Sequence, residues 1–140
     1  MKTQAAIEYL VMIGILITAL SITFYITTIR TQGLRDKIKL TQAQNSLSKI
    51  AESADLVYSQ GYPSKITVLA QLPEAESSYV NGTTINLRIR LSGGPTDVWV
   101  RTKPNVDGWL PTSAGKHWIS VQMTKCDYVW IAPKGEIPPC

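Results

Sequence analysis

Histidine and cysteine are almost missing from this sequence, which holds one His and two Cys in 140 residues. A zinc centre needs three or four ligands at short spacing. His117, Cys126 and Cys140 do not supply them, and no CxxC or HxxxH pair occurs, so neither a metal site nor a cofactor is assigned. There is no GxSxG and no GxxxxGK[ST] run, and a lone histidine leaves no nucleophile and base set. No catalytic residue is therefore named, and an enzyme is not expected. Glu74 and Glu76 fall in a polar stretch that reads as a solvated loop. Charge is also sparse, at 17% of residues, with a net +4 whose basic members are scattered. Only Arg30, Arg35, Lys37 and Lys39 cluster, directly after an apolar run, where cations sit at a lipid boundary. Nucleic-acid binding is not expected from such a distribution.

What is abundant is apolar surface in one place. Tyr9 to Ile29 is a run of 21 residues without a charge, which at 1.5 Å rise covers the roughly 30 Å hydrocarbon core of a bilayer. A secretory signal peptide has a shorter apolar region ending in a small-residue cleavage site. This run instead continues without proline into further helical periodicity, so removal of the apolar stretch is not expected. Beyond the helix, the chain has room for a single compact domain of about 80 residues.

Immediately before the run stands KTQAAIEYLVM, which resembles an archaeal class III signal peptide. In that family a very short basic leader is cut before a Gln. A small residue follows two places on, a Glu four places on and a large apolar residue eight places on. Gln4, Ala6, Glu8 and Met12 match, with Ala6 and Met12 where Ser and Leu are commoner, and Thr3 before the cut where Gly is frequent. The resemblance implies cleavage between Thr3 and Gln4 by a prepilin peptidase. It also implies an assembly motif of Gln4, Ala6, Glu8 and Met12. ADLVYSQGYPSKITVLAQLP, from Ala54 to Pro73, also resembles the helix exit and first strand of these pilins. No glycine-rich archaellin-type stretch is present, which favours an adhesion pilus over a swimming filament.

The role of Glu8 has a physical basis of its own. A carboxylate at the edge of a bilayer-length apolar helix is costly unless it finds a partner. An α-amino group freed at Gln4 would lie one turn away, and stacked copies could pair it with a neighbour's Glu8. The cation distribution around the run, Lys2 against four basic residues after Arg30, would by itself place the C-terminus in the cytoplasm. Long domains translocate largely regardless of charge, and the paired cysteines, the sequon and the leader motif favour a C-terminus outside.

After Arg30, Leu34, Ile38, Ala43, Leu47, Ile50, Ala51, Ala54 and Val57 recur at helical spacing, so a helix is predicted to about Ser59, stopped by Gly61 and Pro63. The period then changes to two. Strands are predicted around Ile66–Gln71, Ile85–Leu91, Asp97–Thr102, Lys116–Thr124 and Asp127–Ala132, with Asn81-Gly82 and Gly93-Gly94-Pro95 as connections. The expected fold is α+β: a long N-terminal helix and a small antiparallel sheet or sandwich packed on Leu47, Ile50, Ala54 and Val57. The expected domains are a leader over 1–3, a helix over 4–60 (apolar 4–29, amphipathic 30–60) and a head over 61–140.

Cys126 and Cys140 flank the last segment and are expected to join in an oxidising exterior. Asn81-Gly82-Thr83 is an N-glycosylation sequon in a predicted hairpin turn, though Asn-Gly is also simply a good turn dipeptide. Trp99, Trp109, Trp118 and Trp130 fall in or between strands, where filling a core is favoured over forming a contact surface. The function expected is a homopolymeric pilus subunit, held in the membrane as a precursor, handled by the pilus assembly machinery and displayed at the cell surface. The alternative is a membrane-anchored surface protein or minor pilin that never polymerises.

Overall fold

The computed structural model describes residues 2–140, with side chains from Gln4 onward. Met1 and the side chains of Lys2 and Thr3 lie outside it, so the expected leader and the Thr3 side of its cleavage point fall beyond the described residues. The chain is α+β, one long helix followed by a five-stranded, mostly antiparallel sheet. Two compact units divide it, one ending at Arg35 and one covering Asp36–Cys140.

Helix α1 runs Lys2–Gln60 without interruption, because nothing between Gln4 and Gln60 is proline and the last turn ends on a glycine. Gly61 takes φ +73° and donates its amide to the Val57 carbonyl at 3.1 Å, a left-handed cap that an L side chain would strain. Up to Arg35, every described side chain of the helix is exposed.

From Asp36 the same helix belongs to a folded core. Ala43, Leu47, Ile50, Ala54 and Val57 are fully buried, and Ser46 and Ala51 nearly so, while Ile38 remains 61% exposed. The buried stripe therefore starts at Ala43, about two and a half turns after its periodicity begins at Leu34. Strands follow as β1 (Lys65–Leu72), β2 (Ala75–Leu91), β3 (Gly94–Gly108), β4 (Gly115–Met123) and β5 (Val129–Pro133). Their spatial order is β1-β4-β5-β3-β2, so the last strand in sequence sits in the middle. It pairs antiparallel with β4 and parallel with β3 over Val106–Gly108, which adds a parallel contact to the expected antiparallel sheet. At that contact a Cβ on Gly108 would stand 1.9 Å from the Ile131 carbonyl oxygen, so only glycine lets β3 and β5 approach.

β2 cannot be straight. Its Arg90 Nη2 meets its own Glu76 Oε1 at 2.5 Å, although fourteen steps of extended chain span about 46 Å. The turn lies where the register with β3 slips between Gly82 and Thr84, and β3 accommodates it with the buried hydroxyl of Thr102 donating to the Pro104 carbonyl at 3.0 Å. Glu76 is thus in a strand and ion-paired, where a polar loop was expected.

Backbone groups at the sheet's margins are met by helix side chains. Ser46 Oγ donates to the Gln71 carbonyl at 2.7 Å and Lys49 Nζ to that of Leu69 at 3.4 Å, both on edge strand β1. On the other side, the Lys103 amide donates to Asp55 at 2.9 Å, and the Ser92 amide and hydroxyl donate to Asp36. Polar residues flanking the apolar stripe therefore occupy edges that would otherwise offer unpaired carbonyls and amides to other chains.

Leu47→Ala should lower the unfolding free energy of the detergent-solubilised chain by about 2–5 kcal/mol, from the lost burial and the cavity left behind. Ile38→Ala should change it by less than about 0.5 kcal/mol. Urea titrations followed by tryptophan fluorescence read both values.

Candidate functional site

The first candidate surface is the helix up to Arg35. Among the described residues, one helix is long and apolar enough to cross a membrane by length and composition, and its apolar stretch is wholly unburied. Its described serine and threonine hydroxyls are turned inward on the backbone. Thr18, Ser21, Thr23, Thr27, Thr28 and Thr31 each donate to the carbonyl four residues back at 2.8–2.9 Å. Hydroxyls satisfied in this way do not need water, so the polar residues of the segment do not oppose an apolar environment. The pattern was readable in principle: Ser and Thr are the only strongly hydrogen-bonding side chains between Tyr9 and Ile29 apart from the two tyrosines.

On this helix Gln4, Glu8 and Met12 follow at four-residue spacing and share one face, while Ala6 falls on the opposite side. All four are exposed, and Glu8 is the one acidic residue before Asp36. A single carboxylate thus stands immediately before the uncharged stretch from Tyr9 to Ile29.

The second surface is the side of the sheet away from the core. Alternation gives Val98 and Ile119 the inner positions, which leaves Trp99 60% and Trp118 55% exposed, with Trp109 at 44%. The expected core role therefore fails for these three. Trp118 lies opposite Leu69 on β1, and Trp130 opposite Gln122 on β4. Trp130 is half-buried, with its indole nitrogen enclosed and unpartnered.

Asn81 is not in a hairpin turn. The β2–β3 turn is Ser92-Gly93, between the paired Leu91 and Gly94, whereas Asn81 pairs with Asp107 inside β2 next to the register slip. Gly82, at φ +62°, supplies the backbone conformation that the irregularity requires. Asn81 is exposed, and its Nδ2 donates to the hydroxyl of Tyr79, two residues earlier on the same face, at 3.0 Å.

Cys126 and Cys140 stand at disulfide distance, with Cα atoms 6.3 Å apart, and enclose β5 between them. Beside Cys126, Lys125 lies over the Tyr62 ring at 5.7 Å, at the rim of a concave surface that Tyr58, Met123 and Asp127 also line. His117 meets the Ser113 carbonyl oxygen through Nε2 at 2.9 Å, which fastens the loop before β4. Among the described residues, no group of three or more His, Cys, Asp or Glu is placed to hold a metal ion.

No protein-family model matches the chain, and comparison with curated proteins and with solved structures gives no match.

Opening the Cys126–Cys140 link with Cys140→Ser should cost about 3 kcal/mol of stability, the loop-closure value for a span of this length. Denaturant midpoints with and without reductant report it, and the variant should be insensitive to reductant.

Proposed function

We propose that this chain is the structural subunit of an archaeal type IV pilus of the adhesion type. In this reading it is stored in the membrane as a precursor, cut between Thr3 and Gln4 by a prepilin peptidase and polymerised through its N-terminal helix. The observation that carries the reading is the helix up to Arg35, apolar over Tyr9 to Ile29, uncovered in its described side chains, and with its serine and threonine hydroxyls satisfied on its own backbone. Such a surface needs a non-aqueous neighbour at every stage. Lipid provides it in the stored form and copies of the same helix in the assembled one, so the transfer never exposes the surface to water. The likeness of Gln4, Ala6, Glu8 and Met12 to the pilin leader motif supports the processing step. The paired cysteines support a β domain facing the oxidising exterior.

Glu8 has a defined part in this scheme. Cleavage before Gln4 frees an α-amino group one turn from it, and in a stack of helices the amine of one subunit meets the carboxylate of the next. The pair fixes axial stagger and removes two isolated charges from an apolar core.

Material sheared from the cell surface should contain the chain as long fibres, with a mass lacking residues 1–3. A vesicle-bound monomer in that fraction would instead support a non-polymerising surface anchor. Glu8→Gln should lower fibre yield at least about tenfold while leaving the unfolding midpoint of the β domain unchanged, because Glu8 is no part of that domain's core. Normal fibres from this variant would remove the proposed pairing.

A further inference from the structure

Tyr79 is an aromatic ring left 61% exposed in the middle of a strand, while Val80 beside it is buried at 4% exposure. Core packing holds the backbone here but does not use the ring. Residues two apart on a strand project from the same face, so Tyr79 and Asn81 are neighbours by geometry. The Asn81 Nδ2 accordingly lies 3.0 Å from the Tyr79 hydroxyl. Gly82 with φ +62° is explained by the irregular ladder, but neither Asn81 nor Thr83 is. Both are exposed, and the sheet uses neither side chain. Across the ladder, the Asp107 carboxylate accepts from the Gly108 amide at 2.7 Å, and the Asn81 carboxamide turns instead to Tyr79.

From this arrangement we propose that Asn81 carries an N-linked glycan whose first sugar packs on the ring of Tyr79. The linkage atom is held 3.0 Å from the hydroxyl of that ring, so a pyranose attached there starts within reach of its exposed aromatic face. The apolar C–H side of the sugar covers a ring that otherwise stands in water. The donor is an oligosaccharide linked to a lipid phosphate. Its C1–O bond to phosphate breaks, a C1–Nδ2 bond forms, one amide hydrogen leaves as a proton, and the lipid phosphate departs. The remaining Nδ2 hydrogen still reaches the Tyr79 oxygen. The aromatic ring thus turns a modification into a stabilising contact at the bend of β2, the most irregular point of the ladder. The proposal rests on the pilin reading only in needing the β domain outside the membrane.

The test uses the full chain isolated from its native cells. The tryptic peptide covering residues 66–88 should carry saccharide mass on Asn81, and Thr83→Ala should abolish it. Thermal melting of the glycosylated chain should lie about 5 °C above that of the Thr83→Ala chain, the shift expected of one modest contact in a domain this size. The increment should persist with Tyr79→Phe, which keeps the ring, and fall below about 1 °C with Tyr79→Ala. Independently of folding variants, protons of the first sugar in the unmutated chain should show upfield ring-current shifts. A bare Asn81 on a β domain that external protease can reach would overturn the inference and leave the pilin reading intact. A bare Asn81 on a protected domain would overturn both. A glycan whose increment and proton shifts ignore Tyr79→Ala would overturn the packing.

Discussion

The constraint on which the rest depends is an apolar helical surface with no cover of its own. From Gln4 to Arg35 every side chain is exposed, and between Tyr9 and Ile29 none is charged. Water is the wrong solvent for such a segment, since the free energy of leaving it wet scales with the apolar area. The serine and threonine hydroxyls that might have tied it to water are consumed by carbonyls one turn back. The unbroken helix pairs its backbone groups within itself, the condition a segment must meet in lipid. Under the pilin proposal the same property serves both lipid and polymer, because neither neighbour supplies hydrogen bonds.

Past Asp36, helix α1 meets a different requirement. There the apolar stripe of Leu47, Ile50, Ala54 and Val57 finds its cover within the chain, in a sheet that bends around a register slip. Residues beside the stripe are matched to strand edges: Ser46 and Lys49 to carbonyls of β1, Asp36 and Asp55 to amides of the β2–β3 hairpin. Edge strands are sites of unwanted pairing. Here two carbonyls of β1 and two amides of the hairpin are taken by side chains of the element they pack on, which matters for a chain proposed to live at high local concentration beside its copies.

Much of this was legible in the sequence where a short-range signal existed. The helix end at Gly61, the α+β class and the inner positions Ile85, Leu87 and Ile89 follow from local periodicity and from one glycine cap. Long-range facts were not. Asn81-Gly82 carries the residues of a tight turn, yet Gly82 serves a ladder irregularity, because the turn is supplied by Ser92-Gly93 and a dipeptide cannot register what its strand pairs with. The tryptophans were assigned to a core by type, but strand alternation had already given the inner places to Val98 and Ile119. The stripe on α1 begins at Leu34 by periodicity and is covered only from Ala43, since where cover starts is decided by the sheet. Of the candidate site, the apolar run was readable outright. The contact between Asn81 and Tyr79 needed the strand geometry to become visible.

The placement of β5 has a consequence for how the domain comes into being. Val129–Pro133 is the last strand made, yet it fills the slot between β4 and β3, and its Val129, Ile131 and Ala132 are fully buried. β5 alone joins the β1–β4 pair to the β3–β2 pair, so those two pairs stay unjoined until the closing residues of the chain arrive. Under the pilin proposal, the sheet can therefore close only after its last strand has left the export machinery.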